Sequence, residues 1–124
     1  MRRITKHIIH CSDSEHGDVE EVRAWHLARG FRDVGYHFII KRSGVVEVGR
    51  MMDEVGAHCK GYNAESIGTC LIGIDSFTIQ QFNALRKLNA TMVRLFPGVK
   101  TYEHNVFNSS KTCPNFNVKK VLMK

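Results

Sequence analysis

Apolar positions mark the chain into strands and helices before any composition is considered. Ile4-Thr5-Lys6-His7-Ile8-Ile9-His10 is an apolar run closed by the turn-forming Ser12-Asp13-Ser14, the pattern of a buried strand. Asp18 then stands as a helix N-cap with Glu21 three residues on as its capping-box partner. Val19, Val22, Trp25 and Ala28 or Arg29 follow at helical spacing, Gly30 is the stop, and Trp25 is expected to anchor the core. Two β-rich runs on either side of Arg42-Ser43-Gly44 predict a hairpin. After a loop over 55–66, rich in Gly, Asn and Ser, the continuous apolar stretch Ile67 to Ile74 reads as a central strand covered on both faces.

The second half repeats the alternation. Phe77 and Phe82 match a hydrophobic staple around a Thr78/Gln81 capping box, and Ile79, Phe82, Leu85, Leu88, Met92 and Leu95 form the apolar face of a long helix ended by Pro97-Gly98. Val99 to Glu103 predicts a short last strand, and Val118 to Met123 a brief terminal helix. Strands alternating with two long helices argue for an α/β fold, a single mixed β-sheet with helices packed on both faces.

Composition narrows the setting. At 124 residues the chain is expected to be one domain, 1–124, large enough to bury an ordinary core without staples, and a monomer. Four cysteines without close pairing, and an N-terminus without an apolar signal region, predict free thiols and synthesis in a reducing cytoplasm. No segment has the length and apolarity of a membrane span, so another agent would have to deliver the chain to a target outside the membrane. The formal net charge of +6, spread over basic residues from Arg2 and Arg3 to Lys124, favours approach to a polyanion, with a solvated basic surface as the competing reading; no nucleic-acid-binding motif accompanies it, and no specific nucleic-acid partner is expected.

The candidate chemistry sits near the C-terminus. Glu103-His104-Asn105 runs on to Lys111-Thr112-Cys113-Pro114, placing an imidazole and a thiol on one short segment. Both are zinc ligands, and sets of two histidines and a cysteine leave one coordination position open, as catalytic sites do. His10, at the end of the first strand, is the best third ligand, so a site of this kind would draw on both ends of the chain. On spacing alone the competing reading, a packed histidine and a small buried thiol, stays open. Tyr36 and His37 begin a strand and point to opposite faces, one toward the core and one toward a surface or cleft.

Longer motifs carry a resemblance. Ile9-His10-Cys11-Ser12, Val22-Arg23-Ala24-Trp25-His26, Asp33-Val34-Gly35-Tyr36-His37-Phe38-Ile39-Ile40-Lys41-Arg42, Gly56-Ala57-His58-Cys59-Lys60-Gly61-Tyr62-Asn63 and Lys111-Thr112-Cys113-Pro114 occur in order along nearly the whole chain. In these the chain resembles the zinc-dependent N-acetylmuramoyl-L-alanine amidases that serve as lysozymes of T-odd bacteriophages, and more distantly the peptidoglycan recognition proteins. The resemblance implies an endolysin that cleaves the amide between N-acetylmuramic acid and L-alanine of peptidoglycan, acting on the cell wall after release from the host cytoplasm. It implies one zinc ion per chain on His10, His104 and Cys113, with Tyr36 and Lys111 as catalytic partners. His58 and Asn63 fall on positions that line the muropeptide groove in relatives, and His37 joins them as a candidate substrate contact.

A non-catalytic recognition module is the alternative, disfavoured because all three ligand types are kept. The T-odd lysozymes also bind and inhibit the phage RNA polymerase, a second partner that the resemblance implies. Two departures stand out. The His104 to Cys113 interval is one residue longer than expected, with Phe107-Asn108-Ser109-Ser110 in place of a proline-containing loop, and the chain is short between Ile74 and Phe77.

Overall fold

The computed structural model describes residues 2–123. Five strands, β1 (Lys6–Cys11), β2 (Phe38–Ile40), β3 (Val46–Val48), β4 (Ser66–Leu71) and β5 (Lys100–Glu103), form one sheet in the order β3-β2-β4-β1-β5. β1 lies parallel to both β4 and β5, β2 lies parallel to β4, and the β2–β3 hairpin is the antiparallel edge. The hairpin turns where Gly44 takes φ 91° and donates its N–H to the Lys41 carbonyl. Helix α1 (Val19–Ala28) covers one face, while α2 (Ile79–Leu95) and the short α3 (Val118–Leu122) cover the other.

Alternation along the central strands explains both layers. On β4, Cys70 packs with Val19 and Val22 of α1, whereas Ile67 meets Met92 and Leu71 meets Leu85 of α2. Because both faces are covered, β4 is buried from end to end. β1 follows the same rule: Ile9 joins the α2 side, so His10 points to the α1 side.

The helix starts are made by their caps. Thr78 and Gln81 form the full capping box on α2, and Thr78 Oγ1 also donates to the Arg42 carbonyl at 2.6 Å, tying the helix to the hairpin. Thr78→Ala is expected to lower stability by about 1–2 kcal/mol, the upper part of the usual N-cap range because both bonds go together, measured by urea denaturation. On α1 only half of the box forms. Asp18 accepts from the Glu21 N–H, but the Glu21 carboxylate turns to His16 instead.

Three sequence expectations need correction. Trp25 is 39% exposed and does not anchor the core; the buried stripe of α1 is Val19, Val22 and His26, at i, i+3 and i+7. His26 takes that place because its Nδ1 accepts the Gly35 N–H at 2.8 Å, a tertiary bond that hydropathy does not foretell. Ile79 and Leu95, at the two ends of α2, are both exposed. Arg2 is not part of a solvated basic surface. Its guanidinium donates to the carbonyls of Met52, Asn63, Ala64 and Ser66 and so clamps the loop before β4.

Candidate metal centre and cleft

Strand register brings the two ends of the chain together. β1 and β5 are parallel neighbours with Ile9 opposite Glu103, so His10 and His104, one residue further along each, emerge side by side at the same edge of the sheet. Their ring centroids lie 4.4 Å apart. After β5 the chain makes a 3-10 turn over His104–Val106 and returns, and the Asn105 N–H donates to the Cys113 carbonyl at 3.1 Å. That bond closes the loop, and Phe107 packs against the rings of Tyr62 and Tyr102. Ligand atoms of His10, His104 and Cys113 then lie within 4.8 Å of one another.

The donor set suits zinc. Bonds of about 2.0–2.3 Å put tetrahedral donors roughly 3.5 Å apart, so the set closes on an ion with about an ångström of side-chain movement. Burial, and then the neighbouring His58 and His104, hold the His10 imidazole well below its ordinary value, and burial also lowers that of His104, with the Lys111 charge adding to it. Both rings are therefore neutral near pH 7, as ligation requires. The Cys113 thiol is pushed up, first by its contact with the Cys11 thiol and then by burial, so a thiolate there needs a positive partner. The Cys11 N–H, aimed at Cys113 Sγ from 2.9 Å, supports that charge once formed.

These side chains line a cleft of about 640 Å³ shared with Tyr36, His58, Asn63 and Lys111. The Tyr36 ring packs 5.1 Å from that of His10, and burial, with the cysteine sulfurs nearby, raises its phenol well above the ordinary value. Tyr36 is thus a hydrogen-bond donor throughout the neutral range. Lys111, two residues before Cys113, is exposed on the rim, and its N–H donates to the Asn108 carbonyl at 3.0 Å. Arg29 and Lys60 stand on the same rim, with Asp13 as the opposing charge.

Not every candidate reaches the cleft. His37 is fully buried, and its two ring nitrogens are occupied by the Gly68 N–H and the Glu54 carbonyl. It belongs to the scaffold, because of the two residues at the mouth of β2 it is Tyr36 that faces the cleft. Asn63 lines the cleft, but its Oδ1 accepts the N–H groups of both His58 and Cys59 at 2.9 Å and shapes that loop. Glu103 was missed by sequence reasoning: its carboxylate accepts from Asn105 Nδ2 and from the Val118 N–H, joining the loop that carries Cys113 to the start of α3. An acidic residue directly before a candidate ligand is the signal that was available.

Comparisons with known proteins show the family and the fold. The family profile of N-acetylmuramoyl-L-alanine amidases matches residues 1–116. The endolysin of Escherichia phage T7 is 44% identical over 123 residues, an alignment covering 90% of this chain and 81% of that protein. Among solved structures, the N-acetylmuramoyl-L-alanine amidase LysC of Clostridium intestinale superposes with a TM-score of 0.91 at 24% identity, over 97% of this chain and 83% of that one, a likeness of fold. The Drosophila peptidoglycan recognition protein LB superposes with a TM-score of 0.84 at 27% identity, over 95% and 78%.

Proposed function

The chain belongs to the N-acetylmuramoyl-L-alanine amidase family and is an amidase of the endolysin type, and from that premise we propose that His10, His104 and Cys113 hold one zinc ion at which the peptidoglycan amide is hydrolysed. The observation that carries the reading is the convergence of these three side chains, from opposite ends of the sequence, within 4.8 Å in one cleft. Bound there, zinc would supply a Lewis acid that polarises the scissile carbonyl and acidifies water toward neutral pH.

The protein's own residues do the rest. Amide hydrolysis builds negative charge on the carbonyl oxygen, and donors already in place stabilise it without reorganising. The Tyr36 hydroxyl, kept protonated by burial and packed beside His10, is one such donor. The Lys111 ammonium on the rim is the other, close enough to His104 to depress its pKa. Asn63 holds the loop that carries His58 and lines the same cleft.

Mass spectrometry of digested peptidoglycan tests the reaction. Release of stem peptides with a free L-alanine amino end is expected; intact peptides on shortened glycans would show a glycosidase and overturn the reading. Tyr36→Phe and Lys111→Met are each expected to lower kcat roughly 100- to 1000-fold with an unchanged circular dichroism spectrum, the usual effect of deleting one transition-state donor. Full rates in both variants would remove their roles.

A further inference from the structure

We propose that His58 is a positioning residue for His10, holding the imidazole so that Nδ1 is the nitrogen presented to the ion. The proposal rests on the zinc reading above and assigns His58 a role other than substrate contact.

The first observation is a hydrogen-bond relay. His10 Nε2 and His58 Nδ1 are 2.8 Å apart with the two rings at 89°, and His58 Nε2 is 3.2 Å from Ser66 Oγ. A neutral imidazole has one N–H and one lone pair, so the relay runs in one of two directions. If His58 Nδ1 donates, the His10 Nε2 lone pair is consumed and its proton sits on Nδ1, leaving no nitrogen for a metal. If His10 Nε2 donates, its Nδ1 lone pair is left for an ion shared with His104 and Cys113, and His58 Nε2–H passes on to Ser66 Oγ. Only the second direction is compatible with ligation, and it gives His10 the outer partner that metal-bound histidines usually have.

The second observation is steric and independent of any proton. The His58 ring lies in a slot between two glycines. A Cβ on Gly68 would come within 2.5 Å of His58 Cγ, and one on Gly56 within 2.8 Å of His58 Cδ2. Contacts so short do not occur between real atoms, so both positions must lack a side chain for the ring to enter. Gly68 lies in the middle of β4, where a glycine otherwise weakens a strand, and close approach of another group is a standard reason for one. The slot is itself braced: Asn63 Oδ1 holds the His58 N–H, and Arg2 holds the carbonyls of Asn63, Ala64 and Ser66. With both nitrogens engaged and the ring wedged, His58 is built to stay put.

Two measurements decide the matter. In long-range 1H–15N spectra recorded with a chelator present, His10 is expected to carry its proton on Nε2; a proton on Nδ1 overturns the proposal. In zinc competition against a chromophoric chelator, His58→Phe keeps a ring in the slot but no acceptor, and its affinity is expected to fall about 10- to 100-fold. His58→Asn, whose Oδ1 stands near the position of Nδ1, is expected to recover most of that loss. A folded His58→Phe with wild-type affinity overturns the role of His58 alone, whereas a wild-type chain without zinc affinity overturns the metal centre itself.

Discussion

Cys113→Ser is expected to abolish stoichiometric zinc binding and to lower wall hydrolysis by more than 100-fold, while leaving the fold in place. In the proposed site the Cys113 thiolate would be the one anionic donor beside two neutral imidazoles, so its replacement would remove the charge that matches a dication. Loss of an outer-shell partner commonly costs about 10- to 100-fold in affinity or activity, and loss of a direct ligand must exceed that. Little stability should go with it, because Cys113 is half-buried at the cleft and contributes to none of the three apolar clusters. Elemental analysis of the purified variant, with turbidity of a peptidoglycan suspension, provides the readout. One zinc per chain together with wild-type clearing would end the three-ligand assignment.

Acidification is expected to unfold the chain from its buried histidines. Burial lowers His7 and His37 from 6.5 to about 4 in the folded state. His7 sits under α2, between Asn89 and Thr69, and His37 lies between Arg2, Arg50 and Glu54. Above pH 6.5 both are neutral whether the chain is folded or not, and their environment is tolerated in full. Between pH 6.5 and 4 the unfolded chain binds protons that the folded chain refuses, so stability falls as pH falls. From pH 7.5 to 5.0 each site removes about 2 kcal/mol, roughly 4 kcal/mol together, a large part of a typical 5–15 kcal/mol. His10 and His58 are depressed in the same direction and deepen the loss. Urea midpoints with a chelator present measure it; a midpoint unchanged between those two pH values would show that the two rings are not kept neutral by the fold.

How much was legible beforehand depends on whether a feature was local. The capping box of Thr78 and Gln81, the hairpin turn at Gly44 and the apolar run that becomes β4 each follow from a few neighbouring residues, and the structure has all three. Trp25 failed because helical spacing leaves two adjacent stripes open, and the bond from Gly35 to His26 chose between them. His37 failed for a related reason: alternation says that Tyr36 and His37 face opposite ways, but not which of the two faces outward. Arg2 looked like surface charge, since no pattern in the first residues announces four carbonyls near positions 52–66.

The site divides in the same manner. From sequence alone came the types of donor, a pair of imidazoles and a thiol with a lysine beside it, because chemistry is written in residue identity and motifs survive in order along a chain. Tertiary structure alone decided that these donors meet, since the meeting depends on β1 and β5 pairing in parallel with Ile9 opposite Glu103, a register set by nonlocal hydrogen bonds. It also decided that His58 backs His10, because a slot between Gly56 and Gly68 exists only after β4 and the preceding loop have folded against each other. Local propensity acts over a few residues, whereas distances between remote side chains are fixed by the packing of the whole.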